Sequence, residues 1–386
     1  MKIAVLPRDA HNRYQQLLYS ALRPLGVRVS YLGELTPSNS LNVLLLPAEL
    51  ALRRAAGARL VHIHWLYRFG LPDHPRLRPL RRLTQWWLGV CLRTARLLGL
   101  RLVWTAHNVL PHAPIFADDV AARRTLVAAC DLVLAHSRGA LDDLAALGAV
   151  PRRSAVIPHG PLPPARPAGE LRVPGSGGGP RQFLFFGQVH EYKGVEDLLA
   201  AFATVPASVP ARLIVAGQCP DPALRARLRT LARGAGDRVT LRLDRVPDRE
   251  VTPLLAAADA VVLPYRRITT SGSAMLALAH GRPLVTPDLP ALATLAPDAT
   301  VSYDRTGPGL AAALTRLAGA DAADLAAMSA AATSFAGQVS WPDVAAATMA
   351  ELTALLAGQP QPAAEPAAEP AAGPAAHPAP ELTRES

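Results

Sequence analysis

The chain of 386 residues is poor in cysteine, in lysine and in long apolar runs, and each scarcity excludes a class of protein. Its three cysteines, Cys91, Cys130 and Cys219, lie far apart, so neither a disulfide framework nor a cysteine metal site is expected. No apolar stretch reaches about 18 residues without charge, which argues against a membrane-spanning helix. The opening segment Met1–Leu6 is too short for a signal-peptide core. These features predict a cytoplasmic protein with reduced thiols.

The chain is strongly basic, with a formal net charge of +10 from 40 lysine and arginine residues against 30 acidic ones. Such an excess favours acidic partners: nucleotide phosphates, anionic lipid headgroups or nucleic acid. Nucleic acid is the weakest of these candidates, because no basic run is interleaved with stacking aromatics. Lysine itself is nearly absent, since Lys2 and Lys193 are the only two in the chain.

Short apolar segments alternate with helical patterns, first over residues 1–160 and again from residue 182. This alternation predicts parallel strands with helices on both faces of each sheet. Strands are expected at residues 2–6, 27–32, 60–64, 101–105, 131–136 and 154–158, then at 182–186, 212–216, 239–243, 260–263 and 283–286.

The predicted fold class is α/β, with two doubly wound, Rossmann-like domains whose strand ends face one cleft. We place an N-terminal domain at 1–165, a Pro/Gly-rich linker at 166–181, a C-terminal domain at 182–335 and a last helix at 336–357. The tail at 358–386 consists mainly of proline, alanine and glutamate, so it is predicted to be disordered.

Polar residues collect just after the predicted strands, where ligands of doubly wound sheets bind. His64, His107, His136 and His159 lie at or just past strand ends of the N-terminal domain. Any one of them could be a hydrogen-bonded structural residue. Together they predict a polar cleft wall, which we extend to Asn12, Trp65 and Asn108 on the presumed acceptor side.

Two turns of the C-terminal domain have the composition of a phosphate site. In the first, Gly187 lets a phosphate approach the backbone and Lys193 supplies a point charge near a helix start; the alternative is an ordinary surface lysine. In the second, unpaired N–H groups, a helix dipole and hydroxyls converge at a helix start; the alternative is plain N-capping. This second turn consists of Thr270, Ser271, Gly272 and Ser273.

Six segments in order, each at a predicted strand end, resemble nucleotide-sugar-dependent glycosyltransferases of the GT-B fold, close to family 4. They are Trp104–Val109, Val156–Gly160, Phe186–Val195, Val246–Glu250, Ala257–Tyr265, and Thr270–Ser273 through Gly281–Pro283. The resemblance covers residues 1–357. It implies a nucleotide-sugar donor bound mainly by the C-terminal domain and an acceptor bound by the N-terminal domain.

The resemblance also implies roles for individual residues. Lys193 matches the lysine that contacts the donor diphosphate, and His107 matches the histidine placed against the donor sugar, which we treat as the catalytic position. His190 or Arg266 could replace an arginine that the family has at position 188. No metal and no cofactor is expected, because the lysine and the helix start can stabilise the departing diphosphate.

The chain departs from family 4 at two positions that usually hold glutamate, here Ile268 and Leu276. The carboxylate that normally grips the donor is therefore missing. Asp288 or backbone groups could take its place, and the stereochemistry of transfer stays open.

A helix expected at Arg81–Leu98 carries Arg82, Arg93 and Arg96 on one stripe beside Trp86. This composition suits an anionic membrane surface, and a helix packed inside the protein is the alternative.

We therefore expect a transfer of a hexose from a GDP- or UDP-sugar to a glycan or lipid-linked hydroxyl, as in cell-envelope polysaccharide synthesis. The protein would be cytoplasmic, with peripheral contact at the inner face of the membrane as an option. Two alternatives remain: a degenerate relative that binds nucleotide sugars without turnover, and a nucleotide-sugar epimerase.

Overall fold

The structure, a computed structural model, describes residues 1–9, 12–66, 78–111, 115–162, 172–293, 295–306 and 308–359. The predicted disordered tail lies almost entirely outside these residues, as does the first part of the predicted linker.

The N-terminal sheet has six parallel strands in the order β2-β1-β3-β4-β5-β6. The strands are β1 (Lys2–Leu6), β2 (Arg28–Tyr31), β3 (Leu60–Ile63), β4 (Arg101–Ala106), β5 (Leu132–Ala135) and β6 (Ser154–Val156). The helices between them are α1 (Arg13–Leu22), α2 (Asn39–Ala55), α3 (Arg78–Leu97), α4 (Asp119–Ala129) and α5 (Arg138–Ala146). The continuous apolar strands are buried on both faces, as a parallel sheet between helix layers requires.

The C-terminal sheet also has six parallel strands, in the order β12-β11-β10-β7-β8-β9. They are β7 (Arg181–Phe186), β8 (Ala211–Ala216), β9 (Val239–Arg242), β10 (Ala260–Val262), β11 (Leu284–Pro287) and β12 (Thr300–Tyr303). The helices are α6 (Val195–Thr204), α7 (Pro222–Arg233), α8 (Asp248–Ala257), α9 (Gly272–Ala279), α10 (Gly309–Gly319) and α11 (Ala322–Gly337). Two doubly wound domains were predicted, and this architecture is confirmed.

Three elements of the C-terminal domain were missed in the sequence. Strand β12 has only four residues, and its threonine and serine dilute the apolar signal. Helices α10 and α11 are rich in alanine, which blurs the contrast between buried and exposed faces that a periodic pattern needs.

The last described helix, α12 (Trp341–Leu356), returns to the N-terminal domain. Its buried side chains Val344 and Leu352 join the cluster that contains Leu18 and Leu22 of α1. The indole of Trp341 donates a hydrogen bond to the carbonyl of Pro161 at 2.7 Å. The end of the described chain is therefore part of the N-terminal core, although it follows the C-terminal domain in sequence.

The carboxyl ends of both sheets border the same cleft. The backbone N–H of Val109, just after β4, lies 3.5 Å from the hydroxyl of Thr269 in the other domain. Cavities between the domains are lined by residues of both. Cys91, Cys130 and Cys219 are buried free thiols. Within the described part of the chain, we find no helix with the length and apolarity to cross a bilayer.

Candidate active site

The turn after β7 allows a very close approach between backbone segments. Gly187 has φ +140°, and a Cβ there would lie 2.9 Å from the hydroxyl oxygen of Ser273. Behind it, a Cβ on Gly217 would lie 1.8 Å from the carbonyl oxygen of Gly187. The structure thus brings together Gly187 and Ser273, two predicted donor-binding residues from different turns. Only glycine fits at positions 187 and 217.

Lys193 ends a short 3₁₀ turn, Glu191–Lys193, and Gly194 then begins α6. Its ammonium Nζ lies 4.2 Å from the ring centre of Tyr265 and 5.2 Å from that of Tyr192. Burial acts to lower the pKa of Lys193, but the phenol groups of Tyr265 and Tyr192 outweigh it and the pKa is raised. The side chain is therefore a cation at neutral pH.

The carboxylates nearest to Lys193 in sequence are engaged elsewhere. Glu191 pairs with Arg227 at 2.7 Å, and Asp197 receives two hydrogen bonds of 2.8 Å from Arg266. The predicted donor-binding residue Arg266 therefore holds the loop after β10 against α6, with its guanidinium on a carboxylate. The imidazole of His190 lies 3.3 Å from the amide oxygen of Gln188.

Tyr265 joins the lysine to the second predicted phosphate turn. Its hydroxyl lies 2.8 Å from the hydroxyl of Ser271, which also accepts the N–H of Ala274 at 3.1 Å. Ser271 is therefore the N-cap of α9, which was the alternative interpretation of this residue. Tyr265 was not singled out in the sequence, although its position directly after a buried strand is the signal that could have found it.

A cavity of about 570 Å³ opens between the domains at the start of α9. We call it the donor cavity. Its lining from the C-terminal domain includes Phe186, Asp248, Gly272, Ser273 and Leu276, and its lining from the N-terminal domain includes Asn12, Tyr14 and His159.

The two positions at which family 4 usually has glutamate, 268 and 276, carry apolar side chains that pack among other apolar groups. Leu276 is buried and forms part of the wall of the donor cavity, and Ile268 packs against the hydrophobic core. Asp248 is a carboxylate that lines the cavity. Asp288 is exposed at the end of β11 and does not line this cavity. Thr270 lines a neighbouring cavity together with His136.

Four histidines of the N-terminal domain form one hydrogen-bonded series across the carboxyl ends of β3 to β6, which we call the histidine array: His62, His64, His107 and His136. Its contacts are Thr105 Oγ1 to His62 Nε2 (2.7 Å), His62 Nδ1 to Tyr19 OH (2.9 Å), Tyr19 OH to His64 Nε2 (2.7 Å), His64 Nδ1 to His107 Nε2 (3.0 Å), His107 Nδ1 to His136 Nε2 (3.2 Å) and His136 Nδ1 to the carbonyl of Ile157 (3.0 Å). Among the described residues, no group of three or more His, Cys, Asp or Glu is arranged to hold a metal ion.

One backbone carbonyl, that of Ile157, determines which atom donates in every hydrogen bond of the histidine array. The carbonyl of Ile157 can only accept, so His136 carries its proton on Nδ1 and, being neutral, accepts at Nε2. The same reasoning passes to His107 and then to His64, each of which donates from Nδ1 and accepts at Nε2. Tyr19 donates to His64 and accepts from His62, which accepts from Thr105. Every imidazole in the array is thus a neutral Nδ1–H tautomer.

Burial keeps these imidazoles uncharged. It lowers the pKa of His62 and of His136 to about 3, and the pKa of His159 to about 4. For His64 and His107 burial is again the main cause, neighbouring imidazoles add to it, and the pKa falls well below its usual value. Protonation would also break the array, because an imidazolium has two donors and no acceptor.

His107 lies in the middle of the histidine array, and the predicted acceptor-side residue Trp65 packs on it. The indole of Trp65 stacks on the ring of His107, with 4.6 Å between ring centres and an angle of 16°. Both ring nitrogens of His107 are used within the array. Asn12 caps α1 by accepting the N–H of Gln15. Asn12, Trp65 and Asn108 line a second cavity of about 590 Å³, which we call the acceptor cavity.

The acceptor cavity adds residues that were not singled out in the sequence. Besides those named above, its lining includes Asp9, His64, Trp104, Asp119, Arg123 and Gln188. Gln188 comes from the C-terminal domain, so this cavity also lies in the cleft. Nothing in the local sequence pattern distinguishes Arg123 from the many other arginines of the chain.

Comparisons with known proteins fit this geometry. The domain model described as "Glycosyl transferases group 1" matches residues 180–327. Two GDP-mannose:glycolipid 4-beta-D-mannosyltransferases of Xanthomonas campestris pv. campestris are similar in sequence. One is 32% identical over 130 residues, which are 34% of this chain and 35% of that protein. The other, from strain ATCC 33913, is 27% identical over 278 residues, 70% of this chain and 73% of that protein. The first match therefore spans about a third of the relative's length.

Solved structures share the fold over nearly the whole chain. Sucrose-phosphate synthase from Thermosynechococcus elongatus superposes with a TM-score of 0.68 at 17% identity, covering 93% of this chain and 99% of that one. Anabaena HepE in complex with UDP gives a TM-score of 0.65 at 18% identity, covering 92% and 100%. At these identities the likeness speaks for the fold alone.

Together, the sheet topology and these superpositions identify the GT-B fold. Residues 180–327 match the model of the glycosyl transferases group 1, and the resemblance to glycosyltransferases of the GT-B fold that the sequence predicted is confirmed.

The buried imidazoles of the histidine array and of the adjacent His159 predict a steep loss of stability in mild acid. Below pH about 6.5 the unfolded chain binds protons that the folded chain excludes, so stability falls as the pH drops from about 6.5 toward 3 to 4. Each imidazole lowers the free energy of unfolding by up to about 1.4 kcal/mol for each pH unit of acidification. Urea unfolding between pH 8 and pH 5 measures this, and the interval above pH 7 is the control because no slope is expected there. His159→Phe removes one titrating imidazole and should make the slope shallower. An unfolding free energy that is the same at pH 5 and pH 7 would contradict the neutral array.

Proposed function

We propose that this protein transfers mannose from GDP-mannose to a hydroxyl group of a lipid-linked glycan, without a metal ion. The observation that carries the proposal is the series of contacts from Lys193 through Tyr265 to Ser271, the N-cap of α9, whose first residues Gly272 and Ser273 line the donor cavity. The similarity to GDP-mannose:glycolipid mannosyltransferases supports the choice of sugar, nucleotide and acceptor class.

The leaving group of such a reaction is a nucleoside diphosphate, on which negative charge develops as the bond to the sugar breaks. Lys193 supplies a permanent positive charge, because the phenol oxygens around it favour its protonated form. The free N–H groups at the start of α9, next to Gly272 and Ser273, add the positive end of a helix dipole. Both are fixed before reaction, which is what electrostatic stabilisation of a transition state requires.

The cleft floor complements these charges. A sugar that loses its leaving group becomes positively charged at its anomeric carbon, and a neighbouring imidazolium would oppose this. In our proposal His107 packs against the mannose as a neutral ring, stacked on Trp65. Domain closure then brings donor and acceptor together and excludes water.

The bond geometry named for the relatives suggests a role for Asp9. Mannose is α-linked in GDP-mannose, so a β-linked product means inversion, which requires a base for the acceptor hydroxyl. Asp9 lines the acceptor cavity. The buried amide of Gln15 holds its loop, accepting the N–H of Asp9 at 3.0 Å and donating to the carbonyl of Pro7 at 2.9 Å. In our proposal Asp9 takes the acceptor proton, the acceptor oxygen bonds to the anomeric carbon, and the electron pair of the broken bond passes to the diphosphate.

A lipid-linked acceptor would bring the enzyme to a membrane, and α2 and α3 form a suitable face. Trp87 of α3 donates to the carbonyl of Val43, which joins the two helices. Exposed residues of these two helices include apolar and arginine side chains: Leu41, Leu44, Leu52, Arg82, Trp86, Arg93, Arg96 and Leu97. The one acidic residue within the two helices, Glu49, is fully buried. We propose that this face contacts anionic lipid.

The first test concerns the donor site. Lys193→Met should weaken GDP binding about 30-fold or more, because a charge-assisted contact with the diphosphate is lost. Thermal-shift titration with GDP and UDP measures it. Lys2→Met is the matched control, since Lys2 donates to the carbonyl of Ala56 far from the cleft. Equal GDP shifts in the Lys193→Met variant and the wild type would refute the assignment.

Turnover is tested with a panel of nucleotide sugars and extracted lipids. We expect mannose from GDP-mannose to appear in the lipid fraction, with free GDP as the second product. Binding without turnover would favour a degenerate relative, which the apolar residues at positions 268 and 276 motivate. Conversion of the nucleotide sugar without an acceptor would favour an epimerase.

The second test concerns the base. Asp9→Asn should lower kcat about 100-fold or more while GDP binding stays unchanged, because general base catalysis contributes factors of this size. Asp119→Asn is the comparison: its carboxylate accepts the N–H groups of Ile115 and Phe116, so this change should cost stability instead. An α-linked product, or an unchanged kcat in the Asp9→Asn variant, would show that Asp9 is not the base for the acceptor hydroxyl.

The third test concerns the membrane. Replacing Arg82, Arg93 and Arg96 together by alanine should reduce binding to anionic vesicles on the order of 100-fold, at about 1 kcal/mol for each arginine. Vesicle co-sedimentation with anionic and neutral lipid measures it. Replacing the exposed Arg212, Arg229 and Arg249 of the C-terminal domain lowers the net charge equally and serves as the control. If both triple variants bind alike, α3 is not the contact surface.

A further inference from the structure

Arg123 of α4 is a buried cation with an unsatisfied hydrogen-bond donor in the described part of the chain. Its side chain is only 7% exposed, and its Nε has no hydrogen-bond partner among the described residues. The guanidinium carbon stands 4.4 Å from the ring centre of Trp104. Burial lowers the pKa of Arg123 to about 10, so the group is still charged at neutral pH.

Two other buried arginines, Arg282 and Arg153, have hydrogen-bonded partners within the protein. Arg282 is 1% exposed and donates to the carbonyls of His280, Ala258 and Arg172. Arg153 donates to Glu351 and to the carbonyl of Gln359. These two side chains hold the fold together. A buried charge without such partners costs stability, so a purely structural role does not account for Arg123.

The surroundings of Arg123 point to a ligand. It lines the acceptor cavity together with Asn108 and Gln188, which offer further hydrogen-bonding groups. Asp119 is nearby and raises the pKa of Arg123 slightly, yet both of its oxygens accept backbone N–H groups at the start of α4. Trp104 supports the guanidinium from one face and leaves its edge for a partner. An oxyanion would supply the acceptors that the protein does not.

We propose that Arg123 binds an anionic group of the acceptor, a sugar carboxylate or a phosphate, in the acceptor cavity. This inference rests on the proposed transfer reaction for its place in function, since it names the charge of the molecule that receives the sugar. A guanidinium suits both groups, because its paired N–H donors match two oxygens of either oxyanion.

The test measures binding without turnover. Wild-type protein is titrated with methyl β-D-glucuronide, methyl β-D-glucoside and inorganic phosphate at constant ionic strength, and its Tm is followed. We expect the glucuronide or phosphate to raise the Tm by about 3–6 °C at ten times its Kd, and the uncharged glucoside to leave it unchanged. A response to the glucuronide alone identifies a sugar carboxylate. Phosphate can also bind at the donor site, so only a phosphate response that is lost in Arg123→Met and kept in Lys193→Met identifies a phosphorylated acceptor.

The variants separate a ligand site from a structural arginine. Arg123→Met keeps an unbranched side chain against Trp104 but removes the charge, so it should fold with an unchanged or higher Tm and bind the anion at least about 30-fold more weakly. Arg153→Met is the matched control: its Tm should fall, while the shift caused by the anion stays. Arg123→Lys keeps the charge without the paired donors and should respond weakly.

The NMR signal of the Arg123 Nε–H, assigned by its loss in the Arg123→Met variant, gives an independent readout. It should move when the responding anion is added. If neither anion changes the Tm or this signal in the wild type, or if Arg123→Met responds as the wild type does, the inference is wrong. GDP binding, measured on the same samples, shows whether the donor site is intact, so failure here is distinguishable from failure of the proposed reaction.

Discussion

The single contact between His136 and the carbonyl of Ile157 determines the electrostatics of the cleft floor. Parallel strands all end at the same edge of the sheet, so polar side chains placed after them meet one another away from water. A carbonyl can only accept, and this fixes the proton on His136, then on His107, His64 and, through Tyr19, on His62. These five side chains therefore all have hydrogen-bond partners, and none of them carries a charge. The cleft therefore has a rigid, neutral floor, and the folded protein loses stability when the pH falls.

Two cations of the cleft, Lys193 and Arg123, contrast with this neutral floor. Lys193 belongs to the C-terminal domain and is kept protonated by phenol groups, whereas Arg123 belongs to the N-terminal domain and rests on Trp104. Neither is neutralised by a tight carboxylate partner, since Asp197 is bound to Arg266 and Asp119 to backbone N–H groups. In the reaction we propose, these charges are compensated by the two substrates: the donor diphosphate at one end and the acceptor anion at the other.

The architecture could be predicted from the sequence because parallel strands leave a strong signal, a short apolar run followed by a helical pattern. The histidines and the two glycine-containing turns were found for the same reason, since their positions after strands identify them. Arg123 and Tyr265 were not found. Each is one of many similar residues, and its importance comes from what surrounds it in space: Trp104 for the arginine, and Lys193 and Ser271 for the tyrosine. The placement of α12 on α1 is likewise a long-range packing choice that no local pattern encodes.

That placement bears on how the cleft can close. The chain passes from the N-terminal to the C-terminal domain once, and then returns between α11 and α12, so two crossings connect the domains. Near the second crossing, the Trp341 indole donates to the carbonyl of Pro161, which lies at the first. A Cβ on Gly160 would approach this indole to 2.7 Å, so the contact depends on glycine there. The two crossings are thus joined on the N-terminal side, next to His159 and Tyr14 of the cleft wall. In the reaction we propose, the domains close about this joint, so that Lys193 and the start of α9 approach the histidine array.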